Sequence, residues 1–149
     1  MPNTGTLSKG WLDLTLPLGV VGYIVLRQSA TGQPDHEAVV PLSTVSSQLA
    51  DLVFDGTSFT TGVAITNPGT ASITVNITAY KSDGSQLGTG AVTLAARGKT
   101  SVPLSSIGGL SGITGSRGRA TFTTASGSFA LLGLRFGGVA FTTIPVNYR

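Results

Sequence analysis

The chain has 149 residues, which suits one domain and leaves little room for two. Only 10% are charged, against about 25% in ordinary globular domains, while 40% are hydrophobic. With no Cys, one His and six acids, the composition excludes a disulfide framework and thiolate metal sites, and it leaves few ligands for any other metal centre.

Disorder does not fit either, because disordered chains are rich in charge and poor in β-branched residues. No apolar run reaches the ~20 residues that span a bilayer. The longest, 16–26, is broken by Pro17, Gly19 and Gly22, so membrane insertion is not expected. The opening residues 1–6 have neither the basic start nor the apolar core of a leader. Residues 2–9 read as linker, as in a piece cut from a longer chain, and residues 10–149 as a single domain. The bulk is Gly, Ser, Thr, Val, Ala, Leu and Ile, a mixture that favours strands and tight turns. An all-β domain is expected, an immunoglobulin-like or jelly-roll-like sandwich of about eleven short strands.

In chain order, residues 10–16 alternate Trp11, Asp13 and Thr15 against Leu12, Leu14 and Leu16, which predicts a strand with its leucines inward. Residues 20–27 form a nearly continuous apolar run and read as a central strand. Residues 29–35 read as loop, and 37–42 as a short strand whose Pro41 places it at an edge or strand end. Residues 43–49 could hold one turn of helix. Strands follow at 52–54 and 59–66, the second stopped by Asn67-Pro68-Gly69. Residues 71–80 alternate Ile73, Val75, Ile77 and Ala79 against Ser72, Thr74, Asn76 and Thr78. Asp83-Gly84 is a strong hairpin signal and pairs this strand with 87–94. Strand 100–104 precedes a Gly- and Ser-rich loop at 105–116, the longest in the chain. Strands 117–124, 128–136 and 139–146 close the domain, with turns at 125–127 and 137–138.

The first and last thirds echo each other. Residues 10–27 align without gaps on 118–135, anchored at Gly10 and Gly118, Thr15 and Thr123, Gly19 and Gly127, Leu26 and Leu134, and Arg27 and Arg135. Val40-Pro41-Leu42 then matches Ile144-Pro145-Val146. Each copy predicts strand, turn, buried strand and return strand, a unit that buries its apolar face on its twin.

Charge divides unevenly. Residues 1–83 hold all six acids and three bases, a net −3, while 84–149 hold six bases and no acid. Such asymmetry marks an anionic partner or head-to-tail self-association, unless strands from the two halves interleave and cancel it.

Two segments, 62–85 and 22–42, together with the closing residues 132–146, resemble a β-sandwich module that recurs, often near the C-terminus, in large exported proteins of soil bacteria such as Acidobacteria. The resemblance spans about residues 10–149. It implies export to the cell surface or beyond and a sandwich fold, and it carries no catalytic residue across.

No catalytic constellation emerges from the residues themselves. The only imidazole is His36, within Asp35-His36-Glu37, and no Gly-x-Ser-x-Gly elbow is present. Asp51 and Asp55 are weak candidates for a cation site, lacking the dense acid spacing of a calcium loop. No cofactor is expected. Arg27 and Arg135 are either ligand-binding arginines for a carboxylate or sulfate, or ion-paired structural residues. Trp11, on the polar side of its strand, is the foremost exposed aromatic for glycan binding, followed by Tyr23, Tyr80 and Tyr148. Phe122, Phe129, Phe136 and Phe141 fall at core-like positions. Arg97, Lys99, Arg117 and Arg119 form a basic cluster in sequence, but no recognition helix or aromatic-rich strand accompanies them, so nucleic acid is not expected. The expected function is a non-catalytic exported module acting in adhesion, glycan binding or as a spacer, its partners being cell-surface or plant glycans. The alternative is a self-assembling subunit of a fibre or surface layer, whose partner is another copy of itself.

Overall fold

The computed structural model describes residues 10–29, 32, 34–42 and 46–149. The linker at 1–9 lies outside these residues, as do parts of the loop at 29–35 and of the segment at 43–49. The described chain forms eleven strands: β1 (Tyr23–Gln28), β2 (His36–Pro41), β3 (Leu49–Asp55), β4 (Thr60–Thr66), β5 (Ile73–Lys81), β6 (Gln86–Leu94), β7 (Lys99–Pro103), β8 (Arg117–Thr124), β9 (Ala130–Gly137), β10 (Ala140–Ile144) and β11 (Val146–Tyr148). All pairings are antiparallel. A five-stranded sheet runs β11-β3-β8-β5-β6, a four-stranded sheet runs β10-β9-β4-β7, and β1 and β2 form a separate hairpin. The two larger sheets enclose one core, so the fold is an all-β sandwich.

The alternation read from the sequence is realised where both strand neighbours exist. On β5, Ile73, Val75, Ile77 and Ala79 are buried while Thr74 and Asn76 are exposed. On β8, Ala120 and Phe122 point inward. From the four-stranded sheet, Val63, Ile65 and Leu131 meet them, with Phe129 wholly buried at the start of β9. Each of the larger side chains, Val, Ile, Leu or Phe, contributes about 1.5–3 kcal/mol by leaving water.

The first predicted strand does not form. Residues 10–16 have no ladder partner among the described residues, and Leu12 and Leu14 are 75% and 51% exposed instead of inward. The central strand expected at 20–27 is β1 of the outlying hairpin, with Tyr23 and Val25 exposed. The reason is pairing. β8, the counterpart of 10–16 in the echo, already has β3 and β5 on its two sides. The echo is half realised: hairpin β1–β2 resembles hairpin β9–β10, but the segment before it does not take a place between two strands as β8 does. The hairpin lies against β10, where the Thr143 hydroxyl donates to the Val39 carbonyl at 3.0 Å. At the other terminus the strand expected at 139–146 is split at Pro145, and β11 crosses to the other sheet to pair with β3.

Residues 104–116 are more ordered than a Gly- and Ser-rich loop implies. Successive three-residue turns are closed by the amides of Ile107, Leu110, Ile113 and Ser116 bonding the carbonyls of Leu104, Ile107, Leu110 and Ile113. Side chains three apart eclipse in such turns, so Leu104, Ile107, Leu110 and Ile113 share one face and are all buried. The run lies directly on β6. A Cβ on Gly88 would stand 2.2 Å from the Gly109 carbonyl oxygen, and one on Gly109 would stand 1.9 Å from that of Thr89. Only glycine permits this backbone contact.

At the opposite end Asn67 is fully buried. Its amide donates to the carbonyls of Ala71 at 2.7 Å and Ala95 at 2.9 Å, and its side-chain oxygen accepts from the Gly69 amide at 2.9 Å. It thereby ties the β4–β5 connection to the β6–β7 turn. Asn67→Ala leaves several buried polar groups without partners and should cost roughly 2–4 kcal/mol, read as a lower urea midpoint with an unchanged slope.

Candidate functional site

The structure disperses the sequence-predicted site residues. Trp11 is half-buried, its indole N–H donating to the Arg97 carbonyl at 3.1 Å, with the Arg97 guanidinium 5.9 Å from the ring centre. Arg97 also pairs with Asp13 at 3.4 Å. Trp11 is therefore a docking contact for its own segment and not a free aromatic platform. Arg97 sits in the β6–β7 turn with φ of 57°, and Lys99 opens β7 beside Thr66. Tyr23 is exposed on β1, the strand that also carries Arg27.

Arg117 and Arg119 lie elsewhere, on the outer face of the five-stranded sheet. The basic cluster seen in sequence is thus split in space. Arg117 pairs with Asp55 at 2.9 Å, and Arg119 with Asp51 at 3.7 Å while its guanidinium lies 4.4 Å above the Tyr80 ring. Arg149 also binds Asp51, whose carboxylate accepts from the Thr121 hydroxyl at 2.6 Å. Both carboxylates proposed for a cation are occupied by arginines. Tyr148 is structural too: its hydroxyl accepts from the Leu131 amide at 2.8 Å and donates to the Leu131 carbonyl at 2.9 Å.

These pairs join the acidic first half to the basic second half, which cancels the asymmetry read along the chain. Arg27 is neutralised within its own hairpin, by Asp35 at 2.9 Å from Nε and by Glu37 at 3.9 Å. The Ser29 hydroxyl and the Arg27 guanidinium hold the Asp35 carboxyl below its ordinary value.

The twin residue Arg135 differs. No carboxylate pairs with it, and its Nε is buried without a hydrogen-bond acceptor. Its guanidinium lies 5.0 Å from the centre of the Phe59 ring. Across the ladder, Arg135 faces Thr61 on β4, whose buried hydroxyl also lacks a partner, and Thr142 on β10.

Beside this group a hollow of about 280 Å³ opens at the end of the sandwich. The β3–β4 turn supplies Thr57, Ser58 and Phe59, the 104–116 run supplies Ser105 and Thr114, and β9 supplies Phe136. Phe136 is not a core residue as its spacing suggested. Its ring stacks on Phe141 at 6.1 Å, with Gly62 beneath it. Phe59 is 39% exposed. Phe59, Thr61 and Phe136 were missed because the lining comes from three distant segments. The one local signal was an aromatic set among hydroxyls at 57–61.

The turn that forms the hollow is held by Asp55. Its carboxyl is lowered to about 2 from 3.8, mainly by the Thr57 hydroxyl at 2.6 Å and further by Arg117. Its folded pKa lies below the unfolded value, so Asp55 adds stability above about pH 4 that is lost as the pH falls toward 2. In Thr57→Val the Asp55 carboxyl should titrate nearer 3.8 and the acid loss should shrink, both readable by carboxyl-carbon NMR and acid unfolding.

Comparison of the chain with protein-family models, with curated proteins and with solved structures finds no match.

Proposed function

We propose that the chain is a non-catalytic module of an exported bacterial protein and that it binds a glycan in the hollow between the β3–β4 turn and the 104–116 run. The observation that carries this reading is the lining. Phe59 and Phe136 offer apolar ring faces, and Thr57, Ser58, Ser105 and Thr114 offer hydroxyls. A sugar ring presents C–H faces and a rim of hydroxyls, the complement of such a wall. The volume, about 280 Å³, lies just below the ~300–1,000 Å³ usual for ligand clefts and suits one ring at a time. Export rests on the residue pattern shared with the bacterial module.

Titration of the labelled protein with a panel of mono- and oligosaccharides should move the amide resonances of residues 57–61, 105, 114 and 137–138. Phe136→Ala should weaken that binding about tenfold, the effect of losing one aromatic contact of ~1–1.5 kcal/mol. If no saccharide moves these resonances, the reading fails.

A second reading, self-association, is favoured by the exposed apolar stretch from Leu12 to Val21. There Leu12, Leu18 and Val21 are 75%, 105% and 89% exposed, and the strand-like alternation at 10–16 has no strand partner among the described residues. In this reading the partner is a second copy, with the stretch added to a sheet edge. Sedimentation should then show a concentration-dependent dimer that Leu12→Asp with Leu14→Asp returns to monomer. A wild-type chain that stays monomeric up to millimolar concentration removes this reading.

A further inference from the structure

We infer that the hollow selects a sugar bearing an oxyanion, a carboxylate or a sulfate, and that Arg135 is the residue that receives it. This rests on the glycan-binding reading and adds the ligand's charge.

The argument begins with the acids. There are six in the chain, and those that meet arginines are already engaged. Asp13 is held by Arg97, Asp35 and Glu37 by Arg27, Asp51 by Arg119 and Arg149, and Asp55 by Arg117. Asp83 is folded back on Ser85, accepting from its amide at 2.8 Å and its hydroxyl at 2.6 Å. Arg135 alone among the six arginines has no carboxylate. Its Nε is buried without an acceptor, and no carboxylate stands against the guanidinium.

The twin hairpin makes the contrast specific. Arg27 and Arg135 hold equivalent places, each near the end of the first strand of a hairpin. Opposite Arg27 stands Glu37, whereas opposite Arg135 stand Thr142 on one side and Thr61 on the other. The same fold position is therefore neutralised in one copy and left cationic in the other.

The surroundings suit an incoming anion. Phe59 lies beside the guanidinium, 5.0 Å from it to the ring centre, and the same residue lines the hollow. No acid lines the hollow to repel one, and the nearest acid in the adjoining turn, Asp55, is engaged by Thr57 and Arg117. Arg135 is only partly buried, and it adjoins the hollow through two of the hollow's lining residues, Phe59 beside its guanidinium and Thr61 across the ladder. A planar carboxylate or a sulfate oxygen pair meets a guanidinium edge with two parallel hydrogen bonds, which a neutral hydroxyl cannot match. Binding there would recover a desolvation cost that the protein already bears.

The test uses glucuronate, glucose 6-sulfate, glucose and inorganic sulfate, each titrated into the full chain and followed by NMR and calorimetry. Glucuronate or glucose 6-sulfate should bind at least tenfold more tightly than glucose, and comparison of the two identifies the oxyanion. Arg135→Gln should reduce that preference to about one. Because removing Arg135 disturbs packing on Phe59, Thr142→Glu provides the second variant. It gives Arg135 the partner that Arg27 has, should leave the melting temperature level or higher, and should likewise abolish the preference. Equal binding of all three sugars overturns the inference while leaving the glycan reading intact. A preference that survives in both variants also overturns it. Inorganic sulfate binding as tightly as the sulfated sugar, with glucose silent, keeps Arg135 as an anion site and removes the glycan reading. No binding by any probe removes both.

Discussion

The architecture depends on one backbone contact. Residues 104–116 lie against β6 at a distance that no side chain tolerates, with Gly88, Gly90 and Gly109 at the meeting points. That contact lets four apolar side chains, one every third residue, enter the space between the sheets. It closes the end of the core, and it places Ser105, Ile113 and Thr114 against the β3–β4 turn. The amide of Gly56 then bonds the Ser116 carbonyl at 2.8 Å, and the amide of Gly115 bonds the Gly56 carbonyl at 2.8 Å. The hollow is a consequence of this closure: its two walls are the turn and the run that the closure brings together.

Charge follows from the same interleaving. β3 from the acidic half lies beside β8 from the basic half, so Asp55 meets Arg117 and Asp51 meets Arg119 on one exposed face. With so few charges, pairing consumes nearly every acid that could meet an arginine. What remains is one guanidinium without a carboxylate, that of Arg135, beside Phe59 and Thr61, two of the residues that line the hollow. Surface ion pairs of this kind add little to stability. Their larger effect is on the distribution of charge, because they neutralise the other arginines and leave Arg135 without a carboxylate.

Much of the sandwich was legible because period-two alternation is a local property. A strand such as β5 reports its buried face through Ile73, Val75, Ile77 and Ala79, and the Asp83-Gly84 turn reports its neighbour. The same rule misled at 10–16, where the alternation is equally clear but the segment joins none of the described sheets. The period-three pattern at 104–113 was hidden by glycines and serines between the apolar residues. At the site, Arg135 was legible as a candidate but not separable from Arg27, since the difference lies in what stands across the ladder. Trp11 was legible as an aromatic on a polar face, yet the Arg97 turn that binds its indole is 86 residues away in sequence.

The sequence by itself determined the all-β class, most strand positions, the turn chemistry and the scarcity of acids, because these depend on neighbours a few residues apart. Only the tertiary structure decided which alternating segment finds a ladder, which arginine finds a carboxylate, and which hydroxyls and rings converge on a hollow. Those outcomes depend on pairings between distant strands. In an antiparallel sheet, the residue across the ladder is set by register and topology, which local pattern does not encode.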